Sequence, residues 1–260
     1  VTVGIPVRGQ IDLLEWVIRL HRTQVGIKPQ FILVDTGSSE AELQQLSKWV
    51  ESSEDITMFS LGVCDDWQCP AEPVCDALQV IWDNCNTTYL LQTHADCIPA
   101  SKYAVLDMVM RITATTPAVG YRMSPRAMHP DWDWRYMLSH TFTMYDRVAV
   151  GPLSHSLKEC AVATGGTTLD NYNKGGWYWW PDTECGYTYS LRKKNINTEI
   201  IGPEKNHCLD KTPHYWHCRS IASSALYDTV YYEKAKEWKN ECIEQAKQWE
   251  KDWSDSRRDS

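Results

Sequence analysis

Two uninterrupted apolar runs with an amphipathic stretch between them constrain this chain more than any other feature. Val1 to Val7 is a β-branched run that includes Pro6, and Phe31-Ile32-Leu33-Val34 leads directly into Asp35. Runs without polar alternation suit strands buried on both faces. Between them, Ile11 to Val25 carries Leu13, Leu14, Val17, Ile18 and Leu20 at mostly helical spacing. The result is a strand, a helix and a strand, the βαβ unit. The alternation continues with a helix from Ala41 to Val50, a strand from Ile56 to Leu61, a helix from Val74 to Asn84 and a strand from Thr88 to Gln92. The fold class expected is therefore α/β, with a mostly parallel sheet flanked by helices. Ligands of such sheets bind beyond the carboxyl ends of the strands, and Asp35 and Asp96 fall there.

A chain of 260 residues with 43% apolar residues supports one core. No run approaches the roughly 18 consecutive apolar residues of a spanning helix, and the start has no basic region followed by an apolar one. The reading is a soluble, cytoplasmic protein without membrane insertion. The ten cysteines are scattered, and Cys64, Cys69, Cys75 and Cys85 form no C-x-x-C pair, so free thiols are expected rather than a disulfide framework or structural zinc. The net charge of −8 is uneven: residues 1–100 hold 5 basic and 14 acidic side chains, whereas residues 101–220 hold 14 and 11. The mildly basic middle leaves a polyanionic partner open.

After about Gly120 the alternation weakens, and Tyr121 to Pro181 is rich in Trp, Tyr, Gly and Pro. A helix is expected from Asp182 to Asn195, with Asp182 as N-cap and Glu184 in its first turn. From Tyr232 to Trp253 the chain reads as an amphipathic helix, in which Ala235-Lys236-Glu237-Trp238 is echoed 11 residues later by Ala246-Lys247-Gln248-Trp249. That interval keeps both tryptophans near one face. Such a helix packs on its own domain or pairs with a second copy. Ser254 to Ser260 is expected to fray.

Three groups of residues carry chemistry. Asp35 ends a buried strand before Thr36-Gly37-Ser38-Ser39-Glu40, where its carboxylate either accepts from a nucleobase or ribose or only caps the turn. Asp96, in Thr93-His94-Ala95-Asp96, leaves a strand end beside a histidine, a setting for Mg²⁺ or Mn²⁺ held against a diphosphate. Trp177, Trp179 and Trp180 offer aromatic faces for stacking on sugars or bases.

The order and spacing of four blocks resemble the family 2 glycosyltransferases. The blocks are Val3-Gly4-Ile5-Pro6-Val7, Phe31 to Ser39 with Asp35, the strand ending in His94-Ala95-Asp96, and Trp180-Pro181-Asp182-Thr183-Glu184. The resemblance covers about residues 1 to 195. It implies a GT-A (Rossmann-like) fold, a nucleotide-binding half over 1–100, an acceptor-facing half over 101–220 and a helical tail over 221–260. It further implies a nucleotide-sugar donor, a UDP-sugar above others, beside Pro6, Val7, Arg8, Asp35, Gly37, Ser38, His94 and Ala95. Asp96 would bind the metal, Asp182 would be the base of an inverting displacement with Glu184 as competitor, and a later histidine would complete the metal site. His214 and His217 are favoured for that place over His207. Two positions depart from the family: His94 stands for the usual first aspartate, and Pro181 for a frequent glutamate.

The acceptor is left open among a glycan, a protein, a lipid-linked intermediate and modified DNA. The compact, anchorless form also resembles phage-encoded enzymes, which would act in the host cytoplasm, some on hydroxymethylated bases. A non-catalytic carbohydrate-binding protein of the same fold is the alternative from another class. The Q-x-x-R-W signature of processive synthases is absent, which implies one sugar per encounter.

Overall fold

The first apolar run forms β1 (Thr2–Val7) and the second β2 (Gln30–Asp35), joined by α1 (Ile11–Arg22). The structure is a computed structural model, and it describes residues 1–63, 72–122, 138–156, 183–201, 211–217 and 229–258. Helix α1 stops short of the expected Val25. The Thr23 hydroxyl donates to the Leu20 carbonyl at 2.7 Å, and the Val25 amide donates to Lys102 at 2.8 Å, so the chain leaves the helix to meet the loop after a later strand. Helix α2 (Glu40–Glu51) starts at once after Ser39, whose amide and hydroxyl both donate to Glu42 at 2.8 and 2.7 Å. This capping box satisfies donors that a bare helix end would leave open. Next come β3 (Ile56–Ser60), α3 (Glu72–Asn84), β4 (Tyr89–Thr93), β5 (Cys97–Pro99) and α4 (Ala104–Arg111).

The second half completes the sheet despite its weaker alternation. It supplies β6 (Ala118–Arg122), β7 (Leu138–Asp146), the short α5 (Arg147–Val150), α6 (Thr183–Lys193), β8 (Thr198–Ile201), β9 (Tyr215–His217) and α7 (Thr229–Arg258). Seven strands lie in the order β3-β2-β1-β4-β7-β6-β8, and β5 pairs with β9 in a separate two-stranded sheet. In the large sheet only β7 runs against its neighbours. The fold is thus the expected α/β arrangement, a mostly parallel sheet between helices with a helix at its C-terminal end.

Strand side chains divide with period two between two cores. Val3, Ile5, Val7, Phe31, Leu33 and Phe142 pack towards α1 and α4, whereas Ile32, Val34, Leu90 and Tyr145 pack towards α3 and α6. Helix α7 closes the first core with Cys242, Ala246 and Trp253. It is tied to α1 by Arg19, whose guanidinium donates to both oxygens of Glu250 at 2.9 and 2.7 Å, and by Lys239 to Asp12 at 2.6 Å. The tail therefore packs on its own domain, and its helix runs on to Arg258, past the point where fraying was expected. The expectation of free thiols throughout also needs correction: Cys75, Cys85 and Cys97 are free and buried, but Cys242 is disulfide-bonded. Sequence spacing is blind to a bridge formed between residues that folding brings together. Among the described residues no helix is long and apolar enough to cross a membrane.

Candidate metal and nucleotide site

The sheet changes direction of growth between β1 and β4. From β1 the chain builds outward through β2 to β3, then returns to place β4 on the other side of β1. In open α/β sheets the helices diverge at such a switch and leave a crevice beyond the carboxyl ends of the strands that flank it, here β1 and β4. Two of the expected groups, the Asp35 turn and the His94-Ala95-Asp96 turn, follow the ends of β2 and β4.

On one side, Val7 pairs with Asp35, and Asp35 with Ser60. The Asp35 carboxylate is almost fully buried and turned to local work: it accepts from the amides of Gly37 at 3.2 Å and Ser38 at 2.9 Å and from the Ser60 hydroxyl at 3.2 Å. Gly37 has a φ of 115°, open only to glycine without strain. Ser38 in turn accepts from the Gly9 amide at 2.9 Å, and the Thr36 amide donates to Val7 at 2.9 Å. Pro6, Val7, Gly37 and Ser38 are thereby held at one rim by the Asp35 turn, with Arg8 exposed beside them. Of the two roles left open for Asp35, turn building is the one its hydrogen bonds display.

On the other side, the turn His94-Ala95-Asp96 leaves β4 and enters β5. Strand β5 pairs antiparallel with β9, with Cys97 opposite His217. Two segments far apart in sequence thus meet at one carboxylate. Asp96 Oδ1 lies 3.3 Å from His217 Nε2 and 3.7 Å from His94 Nδ1, and the three donor atoms fall within 4.8 Å of one another. Ligands at about 2.0 to 2.2 Å from one ion stand roughly 3.0 to 3.5 Å apart, so this spacing fits a single cation after small adjustments. Burial alone would push the Asp96 carboxyl upward, but the adjacent His217 and His94 hold it well below the ordinary range, and it is an anion. Burial, with His140 close by, pushes His94 down to about 4, so its ring is neutral and a nitrogen lone pair is available. His94 Nε2 is buried without a hydrogen-bond partner.

His214 does not join this cluster. Its Nε2 donates to Asp107 at 2.5 Å and its Nδ1 meets the Tyr121 hydroxyl, so both ring nitrogens are engaged with α4 and β6. The two-residue alternation explains the outcome: Tyr215 and His217 face inward while Trp216 faces α7 and meets Trp249 edge-on at 6.0 Å. Asp182, Trp177, Trp179, Trp180 and His207 lie outside the described residues. The helix expected after Asp182 is present as α6, which includes Glu184 in its first turn.

Two histidines that no sequence motif singles out adjoin the site. His140 on β7 lies with its ring 4.1 Å from that of His94. Thr93 pairs with Phe142, and His140, two residues away along β7, lies on the same face as Phe142, beside the turn after β4. His155 is fully buried, pushed down to about 3 by that burial, and lies 2.9 Å from Gln92 of β4. Gly186 of α6 packs on it so closely that an added Cβ would stand 2.4 Å from the His155 carbonyl oxygen. The Cys75 thiol donates to the Thr183 carbonyl at 3.7 Å. The start of α6 is thus locked against α3 and, through His155, against β4.

No protein-family model and no curated protein matches the sequence. Among solved structures, the chain is similar to the mannosyltransferase PcManGT from Pyrobaculum calidifontis, in complex with GDP-Man and Mn²⁺, at 14% identity and a TM-score of 0.49 over 78% of this chain and 54% of that one. It is also similar to S. aureus TarS 1-349 in complex with UDP, at 12% identity and a TM-score of 0.47 over 93% of this chain and 70% of that one. A third likeness is to the glycosyltransferase GlyE of Streptococcus pneumoniae TIGR4, at 9% identity and a TM-score of 0.44 over 76% and 44%. The chain spans about half the length of the mannosyltransferase. These likenesses concern the course of the backbone, and the reading of the site rests on the geometry above.

Proposed function

We propose that the chain is a metal-dependent glycosyltransferase that moves one sugar from a nucleoside-diphosphate sugar, such as a UDP-sugar, to an acceptor hydroxyl. The observation that carries this reading is the His94, Asp96 and His217 cluster beyond the carboxyl end of β4, beside the switch between β1 and β4. A buried carboxylate held as an anion between imidazoles is a cation ligand set, and the crevice at a strand switch is where α/β sheets take nucleotides.

A divalent ion held by His94, Asp96 and His217 would supply Lewis acidity to a departing diphosphate. The protein's own part is to position. Pro6, Val7, Arg8, Gly37 and Ser38 border the nucleotide, Ala95 spaces the two ligands of the turn, and Asp35 keeps the rim in shape. Asp182 removes the acceptor proton as the new bond forms, in a single inverting displacement, with Glu184 as the alternative base. What supports Asp182 is its place directly before α6, whose first turns are fixed to α3 and to His155. Trp177, Trp179 and Trp180 precede it as the acceptor platform.

The test is release of nucleoside diphosphate from a panel of nucleotide sugars with Mn²⁺, with and without EDTA. Asp96→Ala is expected to lower release at least about a hundredfold; release that survives unchanged removes the assignment. Asp182→Asn should keep donor binding and lose turnover, and full activity would shift the base to Glu184 or elsewhere.

A further inference from the structure

We infer that the His94, Asp96 and His217 site is a nitrogen-rich centre selective for late first-row divalent ions, Co²⁺ and Zn²⁺ above Mn²⁺, and that it discriminates against Mg²⁺. This rests on the metal part of the proposed activity and specifies which ions the chain's own donors accept.

The donor set decides first. Two imidazole nitrogens and one carboxylate oxygen converge, and both nitrogens approach the same oxygen, Asp96 Oδ1, at 3.3 and 3.7 Å. Among the described residues no second carboxylate joins them. Mg²⁺ requires an almost regular octahedron of hard oxygens and gives up water reluctantly, so two imidazoles in place of oxygen donors cost it most of its binding. Imidazole suits Zn²⁺ and its neighbours, and affinity for nitrogen sites rises from Mn²⁺ through Co²⁺.

The surroundings favour the same ions. Asp96 and His217 are 10% and 8% exposed at the side chain, so the ion must shed much of its water on entry. Beside His94 lies a further imidazole ring, that of His140, with ring centroids 4.1 Å apart. The cluster is also built from rigid parts. Asp96 and His217 flank paired strands, and the Ala100 amide donates to the His214 carbonyl at 2.8 Å, extending the β5 and β9 ladder. A fixed set of donors cannot rearrange to offer Mg²⁺ six oxygens.

Binding is measured on the full chain without nucleotide sugar, so that loss of metal preference and loss of glycosyl transfer are separate outcomes. Co²⁺ is titrated while its visible absorption is followed, and Zn²⁺, Mn²⁺ and Mg²⁺ are then used as competitors. The expected result is displacement of Co²⁺ by Zn²⁺ and about a hundredfold or more weaker competition by Mg²⁺, on the scale of the ligand-type preferences. His217→Gln should lose the nitrogen-ligated Co²⁺ spectrum. His94→Asp should narrow the gap between Zn²⁺ and Mg²⁺ at least about tenfold. Mg²⁺ competing as well as Zn²⁺, absence of Co²⁺ binding, or a Co²⁺ spectrum unchanged in His217→Gln each overturns the inference. If a variant fails to fold, the competition series on the unaltered chain decides alone.

Discussion

His21 sits in the middle of the larger core, and its charge state sets a measurable limit on acid stability. It lies on α1 with no exposed surface, its ring 6.4 Å from those of Phe31 and Phe142, and only Nδ1 has a partner, the Val17 carbonyl at 2.7 Å. Nε2 is buried with none. Burial therefore lowers its pKa from the ordinary 6.5 to about 4. The unfolded chain binds a proton below pH 6.5, but the folded chain declines it until near pH 4, so stability falls as pH drops through that window. Integrating the linkage between about pH 7.5 and about pH 5 gives a loss of ~2 kcal/mol from this residue alone. The perturbation is His21→Leu, which keeps an apolar group of similar bulk and removes the titration. Urea unfolding of both proteins at the two pH values measures it. His21→Leu should lose about 2 kcal/mol less on acidification than the unaltered chain, whatever its stability at the higher pH. Equal losses within about 0.5 kcal/mol would refute the reasoning, since ordinary couplings between distant sites stay near that size.

Two further substitutions probe the supports of the site. Gly186→Ala sets a Cβ 2.4 Å from the His155 carbonyl oxygen, and neither backbone can give way cheaply. It should destabilise the fold by about 1 to 3 kcal/mol and, by displacing the start of α6, reduce turnover on the order of a hundredfold with metal binding kept. Trp249→Ala removes the ring that packs on Trp216, next to His217 in β9, and that stacks on Trp253 at 6.0 Å. Because Trp249 is only half-buried, the cost should be about 2 kcal/mol, below the range for fully buried tryptophan. Co²⁺ affinity should fall with it, as the strand carrying His217 loosens; unchanged affinity would show that α7 does not support the site.

The parallel half of the sheet was legible because β1, β2 and β4 are buried on both faces and so lack polar interruption. The turn at Asp35 and the position of Asp96 were legible for the same reason, since both come at or soon after the end of such a run. What escaped was pairing between distant segments. His214 and His217 lie three residues apart on one short segment, and only the inward alternation of β9 against β5 decides which of them meets Asp96. His140 and His155 sit in stretches whose strand and loop register depends on β4 and α3, and no local pattern marks them. The disulfide of Cys242 is another case of contact made by the fold and not by sequence proximity.

On the reading proposed above, His94 would set the electrostatics of the site as well as its metal preference. Imidazoles that ligate through a nitrogen lone pair are neutral, so a site with one carboxylate and two of them carries a single negative charge. A divalent ion held there retains a net positive charge towards a diphosphate. A second carboxylate would neutralise that ion and repel the diphosphate directly, and in a partly dry crevice such a repulsion is screened weakly. Imidazole would thus replace charge attraction with nitrogen ligation as the means of holding a divalent ion, and would leave the charge for the ligand. The neutral state of His94 is what makes this work, and it is enforced by burial and by His140. The same features that would make the proposed site poor for Mg²⁺ would therefore suit it to bind a nucleoside diphosphate through the ion it takes up.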